Sequence, residues 1–212
     1  MKSYTIIKRI LDMVLTFIAI VLLWPVLLLI TVTIMIDSKG HPIFKQKRMG
    51  RYKKEFYILK FRTMRSDTPK DMPTHMLKNP DMFITKIGRF LRKLSLDELP
   101  QIINILKGEM SIIGPRPALW NQFDLIAERD KYGVNDIVPG LTGWAQVNGR
   151  DELPMYVKVK HDEYYVKNIS YMLDVKIFFM TVFKVSIAKG VVEGEPKGVS
   201  CDNENSEKQS VL

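Results

Sequence analysis

The feature that most constrains how this chain folds is an apolar run from Ile10 to Ile36, in which Asp12 is the only charged residue. As a straight helix the run would extend about 40 Å at ~1.5 Å per residue, more than the ~30 Å hydrocarbon core of a bilayer. It is too long for a signal peptide, and no small-residue cleavage site follows it. We therefore predict a membrane helix in residues 1–37, followed by a folded domain in residues 38–192.

Whether this helix crosses the bilayer is a separate question. Lys8 and Arg9 precede the run, and seven further lysines and arginines lie between positions 39 and 54. The positive-inside rule favours the cytoplasmic side for both groups, which a helix that enters and returns satisfies. Pro25, near the middle, removes the hydrogen bond to the carbonyl of Val21 and favours a bend. A spanning helix with a mild proline kink is the alternative, because membrane helices tolerate proline.

Two adjacent carboxylates, Asp97 and Glu98, stand just before a second predicted helix. Pro100 suits the first turn of a helix, and Gly108 is typical of the position just after its end. Unpaired amides and the helix dipole favour negative charge at this N-terminus, so we expect both carboxylates to be ionised at neutral pH. Consecutive residues point in different directions, so one carboxylate could attack a substrate while the other holds a cation.

A simpler interpretation of the same spacing is a capping box, Ser95-x-x-Glu98, in which Glu98 bonds only to a backbone amide. Basic residues favour the chemical interpretation. Arg92 precedes the pair, and Arg116 follows it within the segment Pro115–Pro117. This excess of positive charge suits a substrate that carries phosphates, although a basic face beside an anionic membrane would look the same.

The composition points to anionic partners, because the net charge is +9 and the pI about 9.5. Phospholipid, nucleotide and nucleic acid all fit this charge. Cys201 is the only cysteine, so neither a disulfide framework nor a cysteine-based metal site can form within one chain, in agreement with a reducing compartment.

The remaining pattern predicts an α+β fold that is mainly helical. Strands are expected at residues 43–48 and 55–61, as a basic hairpin whose aromatic residues lie at the headgroup layer or bind nucleic acid. Helices are expected at 84–93, 119–131, 157–166 and 171–189, a short strand at Trp144–Val147, a loop at 66–80 and a disordered tail at 193–212. The helix at 171–189 suits a membrane surface or a buried core.

Glycines at 140, 143 and 149 punctuate the segment that contains the short predicted strand. Because glycine has no Cβ, these positions permit a backbone to approach a ligand closely. A set of turns is the alternative, since the segment lacks the lysine pattern of a phosphate-binding loop.

These motifs together resemble a known family. The sequence contains Phe-Lys-Gln at 44–46, Lys-Phe-Arg-Thr-Met at 60–64, Leu-Asp-Glu-Leu-Pro at 96–100, Gly-Pro-Arg-Pro at 114–117 and Pro-Gly-Leu-Thr-Gly-Trp-Ala-Gln-Val-Asn-Gly-Arg at 139–150. It is similar to the bacterial sugar transferases, and more closely to the small monotopic polyprenyl-phosphate phosphoglycosyl transferases. The resemblance runs from about Lys8 to Lys189 in the same order.

The resemblance implies that a UDP-sugar donates a sugar 1-phosphate to undecaprenyl phosphate, with release of UMP, in the first membrane step of glycan synthesis. Asp97 would be the nucleophile that carries the phosphosugar, and Glu98 would position Mg²⁺, so that both carboxylates belong to the metal site. The implied substrate-binding residues are Arg92, Pro115, Arg116, Pro117 and Arg150.

The family also implies a re-entrant membrane helix, interfacial amphipathic helices and a small catalytic domain in the cytoplasm, on the bacterial inner membrane. The bend would lie at Trp24 and Pro25, where family members usually carry serine before the proline. No nucleic acid is expected as a partner. A membrane-tethered, non-enzymatic binder of anionic partners is the alternative function. The residues predict neither the donor sugar nor the oligomeric state.

Overall fold

The computed structural model describes residues 2–68, 82–149 and 153–186. Within these residues the chain is mostly helical with two small two-stranded sheets, which confirms the predicted α+β class. The helices are α1 (Lys2–Asp37), α2 (Lys86–Lys93), α3 (Gln101–Lys107), α4 (Phe123–Asp130), α5 (Trp144–Val147), α6 (Met155–Lys167) and α7 (Tyr171–Ser186). The strands are β1 (Ile43–Met49), β2 (Glu55–Phe61), β3 (Ser111–Ile113) and β4 (Gly140–Thr142). Most of the loop predicted at 66–80 and the tail at 193–212 lie outside the described residues, and the domain division stays a prediction.

α1 is the one described helix that is long and apolar enough to cross a membrane, judged by length and composition alone. The qualifying segment, Tyr4–Asp37, has 34 residues and reaches a mean hydropathy of 2.9. Pro25 lies inside the helix, and the helical assignment continues across it. Trp24 is 59% exposed, and most of the apolar residues near it in the helix are also exposed. α1 therefore presents an apolar surface around the proline.

The first turns of α1 are tied to the rest of the molecule by polar contacts. Tyr4 Oη and Lys8 Nζ donate to one carboxylate oxygen of Asp174 in α7, at 2.6 and 2.7 Å. Asp12, buried despite its place in an apolar helix, accepts a hydrogen bond of 2.7 Å from Ser111 Oγ in β3. These pairings satisfy the buried polar groups, which would otherwise be costly.

The last turns of α1 contact the same domain through apolar packing. Ile30 and Ile34 are buried together with Phe61 of β2 and Leu91 of α2. Just beyond the helix, the carbonyl of Ser38 accepts a hydrogen bond of 2.7 Å from the Arg62 guanidinium. Both ends of α1 are therefore attached to one folded unit, while its middle is exposed.

The predicted hairpin is confirmed, because β1 and β2 pair antiparallel along their whole length. Phe56 and Ile58 lie on one face of β2 and pack against Ile105 of α3, whereas Phe61 lies on the opposite face and packs against Leu91. Both faces of the strand are therefore covered by apolar clusters, and the two phenylalanines are buried in the protein. The location of the hairpin at the headgroup layer stays a prediction.

The second sheet differs from the prediction. β3 pairs parallel with β4, Ser111 opposite Gly140, whereas the predicted strand Trp144–Val147 forms the short helix α5. Ala145, Gln146 and Val147 are buried consecutively, which a strand with alternating faces does not do. A stretch of four residues is too short for periodicity to separate a strand from one helical turn.

α4 is shorter than the helix predicted at 119–131. Leu119 instead forms an antiparallel bridge with Arg48 of β1, and its amide donates to the Gln122 side chain at 2.9 Å. The helices predicted at 157–166 and 171–189 are confirmed as α6 and α7 within the described residues.

α7 is a core helix on one face only, and its predicted place at a membrane surface stays a prediction. Leu173 and Ile177 are buried with Tyr165 of α6 in one apolar cluster. Phe179 and Phe183, by contrast, have exposed side chains. One face of the helix therefore belongs to the core and another remains apolar at the surface.

Candidate active site

The carboxylate pair lies in a 3-10 turn, Leu96–Glu98, between α2 and α3. Pro100 has the φ of −61° that suits a helix start, and α3 begins at the next residue. Ser95 adopts a left-handed conformation with φ of +55°, and its side chain makes no cap hydrogen bond. The capping-box interpretation is therefore wrong for Ser95.

α3 is short, and its two ends connect the membrane helix to the carboxylates. Gly108 ends it in the left-handed conformation at φ of +84°, as predicted. The Arg9 guanidinium of α1 donates to the carbonyls of Ile105 at 2.5 Å and Leu106 at 2.9 Å. A cation at this end matches the helix dipole, and it gives the Ile105 carbonyl a second donor beside Gly108 N, which lies at 3.0 Å.

Glu98 is buried and binds two cations from different elements. One of its carboxylate oxygens, Oε1, accepts from Lys60 Nζ of β2 at 2.7 Å and from the Arg116 guanidinium at 3.1 Å. Charge-assisted hydrogen bonds of this kind are stronger than neutral ones. The structure therefore joins three residues that lie far apart in sequence.

Asp97 has different surroundings from its neighbour. Burial raises the pKa of Asp97, and the negative charge of Glu98 raises it further, while Lys60, Arg92 and Arg116 oppose the shift. The direction of this shift makes Asp97 harder to ionise than a free aspartate, and its ionisation at neutral pH stays a prediction. The two carboxylates are distinct in environment, which is what separate roles require.

Arg92 reaches the site from the last turn of α2. Its Nε donates to the hydroxyl of Thr63 at 2.8 Å, and Thr63 is itself buried. α2 comes this close because Gly88 has no side chain: a Cβ there would lie 2.0 Å from the Thr63 carbonyl oxygen. The positive charges of Arg92 and Arg116 thus both favour the ionised form of Asp97, and their predicted role in substrate binding stays a prediction. Arg150 lies outside the described residues.

The segment Pro115–Pro117 is held by its backbone carbonyls. The carbonyl of Pro115 accepts from Gly140 N at 2.9 Å, that of Arg116 from Arg129 Nη1 at 2.9 Å, and that of Pro117 from Arg48 Nη1 at 3.1 Å. Because proline has no N–H, acceptors are what these two residues offer.

The glycines of the Pro-Gly-Leu-Thr-Gly segment serve this same loop. A Cβ on Gly140 would lie 2.1 Å from the amide nitrogen of Gly114, and a Cβ on Gly143 would lie 2.1 Å from the carbonyl oxygen of Gly114. The sequence predicted that these glycines let the backbone approach a ligand closely. At Gly140 and Gly143 the backbone instead closely approaches the backbone of Gly114.

The family description "Bacterial sugar transferase" matches residues 3–188. The chain belongs to this family. The predicted resemblance is confirmed at the level of the family.

Several relatives of this sugar transferase are similar along most of the chain. The uncharacterized sugar transferase EpsL of Bacillus subtilis is 41% identical over 78% of this chain and 81% of its own length. An Aeromonas hydrophila UDP-N-acetylgalactosamine-undecaprenyl-phosphate N-acetylgalactosaminephosphotransferase is 41% identical over 84% of the chain. A Xanthomonas campestris UDP-glucose:undecaprenyl-phosphate glucose-1-phosphate transferase is 40% identical over 86% of the chain. The matches cover 43% and 39% of the latter two proteins.

Lys60, Thr63, Arg129 and Asp162 belong to the site or its support but were not predicted as site residues. Lys60 and Thr63 lie within the motif Lys-Phe-Arg-Thr-Met, which signalled the family without assigning a role to either. Arg129 and Asp162 gave no local signal, because α4 and α6 read as ordinary charged helices. Their pairing is visible only in three dimensions.

The carboxylate pair is compatible with a magnesium ion held jointly with substrate. Within the described ranges, no cluster of three or more histidine, cysteine, aspartate or glutamate residues could hold a metal. Mg²⁺ commonly takes one or two carboxylates together with substrate phosphates. The carboxylates of Asp97 and Glu98 are the groups that could coordinate such an ion, and Oε1 of Glu98 also accepts from Lys60 and Arg116.

Proposed function

We propose that the protein transfers a sugar 1-phosphate from a UDP-sugar to undecaprenyl phosphate and releases UMP. The observation that carries this proposal is the Asp97–Glu98 pair, set among Lys60, Arg92 and Arg116. A cationic cluster around one available carboxylate suits a donor with two phosphates. The names of the Aeromonas and Xanthomonas relatives support the same reaction class.

The reaction proceeds in two displacements at one phosphorus atom. An Asp97 carboxylate oxygen attacks the β-phosphorus of the UDP-sugar, the bond from that phosphorus to the bridging oxygen breaks, and UMP leaves with the bond electrons. A phosphate oxygen of undecaprenyl phosphate then attacks the phosphorus of the aspartyl phosphosugar and displaces Asp97. The lipid diphosphosugar results, and the carboxylate is regenerated. Such covalent catalysis divides one difficult transfer into two easier ones.

The surrounding charges support these displacements. Phosphoryl transfer depends on positioning and on neutralising phosphate oxygens more than on proton transfer. Arg92 and Arg116 provide donors for those oxygens, while Lys60 holds Glu98 in place. The raised pKa of Asp97 makes its ionised carboxylate more basic and so a stronger nucleophile. Bound Mg²⁺ would be held by Asp97 and Glu98 and would neutralise charge on the donor phosphates.

The placement of α1 supports a re-entrant membrane helix with the catalytic domain on the cytoplasmic side. A straight 36-residue helix would extend about 54 Å. Its first turns nevertheless contact Asp174, and its last turns contact Leu91 of the same folded unit. A bend at Trp24 and Pro25 keeps both basic flanks on one membrane face, in line with the positive-inside rule.

The exposed face of α7 extends the membrane-binding surface. Phe179 and Phe183 lie one helical turn apart and are both largely exposed. Aromatic side chains at this spacing bury well at the boundary between headgroups and acyl chains. The lipid substrate would then reach the carboxylates within the membrane plane while the nucleotide arrives from water.

One experiment tests the central step. Protein in lipid nanodiscs is incubated with a panel of UDP-sugars, with and without undecaprenyl phosphate, and UMP release is measured. The true donor should give a sugar-phosphate adduct on the peptide that contains Asp97 when lipid is omitted, detected by mass spectrometry after acid quench. Turnover by Asp97→Asn would contradict the proposed mechanism. Salt-sensitive oligonucleotide binding without UMP release would contradict the proposed function and favour the non-enzymatic alternative.

A further inference from the structure

The Arg116 backbone is held by a buried ion pair that no catalytic step described above uses. Arg129 of α4 pairs with Asp162 of α6 through Nε at 2.9 Å and Nη2 at 2.6 Å, both to Oδ2. The two side chains are 7% and 2% exposed. The remaining guanidinium nitrogen of Arg129, Nη1, donates to the carbonyl of Arg116 at 2.9 Å. One planar guanidinium thus connects α6 to the substrate-binding loop.

The geometry of the loop makes this third bond important. Each carbonyl of Pro115–Pro117 accepts a hydrogen bond, and two of the three donors are arginine side chains. The middle bond holds the residue whose own guanidinium reaches Glu98 at 3.1 Å. A shift of the Arg116 backbone therefore moves the guanidinium relative to the carboxylate pair.

We propose that Arg129 and Asp162 are positioning residues that fix the backbone of Arg116, so that its guanidinium meets the donor's phosphates beside the carboxylate pair. The role of those phosphates rests on the proposed function. Asp162 orients Arg129 through two donors and compensates its charge in a buried setting. Arginine suits the task because its rigid fork serves a carboxylate and a carbonyl at once, which the single ammonium of lysine does not.

The alternative is that the ion pair only fastens α4 to α6. In that case its loss would lower stability and reduce activity by the same factor whatever residue stands at position 116. If instead the pair acts through Arg116, its loss should matter only while the arginine is present. A double-mutant cycle separates the two roles.

The test uses the full chain in lipid nanodiscs and measures kcat and KM from UMP release with the UDP-sugar that the panel identifies. Arg129→Lys should lower kcat/KM by about tenfold, because small misplacements of a positioning group are costly. In an Arg116→Ala background, which lacks the positioned side chain, the same change should cost less than about twofold. Equal losses in both backgrounds would overturn the proposal.

A matched control lies next to Arg129. Asp130 pairs with Lys53 at 2.8 Å on an exposed surface, so Asp130→Asn should leave kcat/KM unchanged, since such pairs contribute little. If Asp130→Asn lowers kcat/KM as much as Arg129→Lys does, the loss of any ion pair of α4 lowers activity, and the positioning role of Arg129 is contradicted.

Hydrogen exchange provides a measurement that needs no turnover. The amides of Gly114, Arg116 and Ala118 should exchange at least several-fold faster in Arg129→Lys, at a temperature where both proteins are folded, because local opening sets the rate. If wild-type protein releases no UMP from any UDP-sugar, the proposed function fails, and exchange alone decides whether Arg129 holds the loop. Unchanged exchange would overturn the positioning role even in an active enzyme.

Discussion

Asp97 carries a charge that the folded protein disfavours, and this gives the residue a pH dependence of known sign. Burial raises the pKa of Asp97 in the folded state above that of the unfolded chain. The folded state therefore binds the proton more tightly, and this residue's contribution to stability falls as pH rises from the unfolded pKa through the folded one.

Asp97→Asn should therefore abolish UMP release while leaving the melting temperature at neutral pH unchanged or higher. The substitution removes the nucleophile and also the cost of burying its charge. In metal-free protein, the melting temperature of the wild type should fall relative to that of Asp97→Asn as pH rises through the raised pKa of Asp97. A large drop in melting temperature for Asp97→Asn would contradict the sign argued here.

Removing the charge of Glu98 should destabilise the folded protein, in contrast to removing the charge of Asp97. Glu98→Gln leaves Lys60 and Arg116 without the carboxylate that both bind, so we expect a loss of about 1–3 kcal/mol in the free energy of unfolding. Activity should fall more than tenfold, and the Mg²⁺ concentration for half-maximal activity should rise, because one ligand loses its charge.

Glu55→Gln is the matched control for Glu98→Gln, because Glu55 pairs with Lys47 at 2.6 Å on the exposed side of the hairpin. Urea unfolding should differ from wild type by less than about 1 kcal/mol, as is usual for exposed pairs. If Glu98→Gln destabilised the protein but kept full activity and metal dependence, Glu98 would be a structural residue only.

At the scale of single elements, α3 links the membrane helix to the chemistry. An isolated helix of seven residues is unstable in water, so its position depends on contacts at its ends. Arg9 of α1 supplies the contact at the C-terminal end through two carbonyls. The N-terminal end leads directly into the turn that carries Asp97 and Glu98.

Arg9→Met should therefore reduce activity although Arg9 lies in the membrane helix. The lost cation at the helix C-terminus is worth about 0.3–2 kcal/mol, and the Leu106 carbonyl loses its hydrogen bond from Arg9. Fractionation should still find the protein in membranes, and UMP release should drop several-fold. Lys39→Met removes an exposed positive charge at the other end of α1 and should have no such effect. Equal activity of the two variants would show that α3 does not need this cap.

The elements that the sequence predicted well are those with local causes. Pro100 and Gly108 define α3, and period-two alternation defines the hairpin. The site's central contacts have no local cause: Lys60 and Arg116 meet Glu98 across long stretches of chain, so no spacing rule could pair them. Trp144–Val147 was assigned to the wrong type because tertiary packing, not its four-residue pattern, determines α5.

At the scale of the whole molecule, the two attachments of α1 support the bend that we propose at Pro25. The polar contacts of Lys8 and Asp12 and the apolar contacts of Ile30 and Ile34 engage one folded unit. A helix that crossed the bilayer would leave one of these two sets on the far side of the membrane, where that set could not form.

Cysteine labelling measures this arrangement, because Cys201 is the only native cysteine and can be replaced by serine. In that background, Ser3→Cys and Lys39→Cys should both resist a membrane-impermeant maleimide in intact cells and react after permeabilisation. Labelling of either position in intact cells would show that the helix crosses.

The substitution Pro25→Ala tests whether the proline is needed for the bend that we propose in α1. Alanine restores an N–H that can bond to the carbonyl of Val21 and removes the clash that favours a bend. We expect a fraction of the Ser3→Cys, Pro25→Ala protein to become labelled from outside, with a matching loss of UMP release, since straightened molecules lose the contacts of Lys8 and Asp12. If labelling rises without loss of activity, those contacts do not position the active site. If neither changes, the attachments of α1 to the folded domain bend the helix without help from the proline.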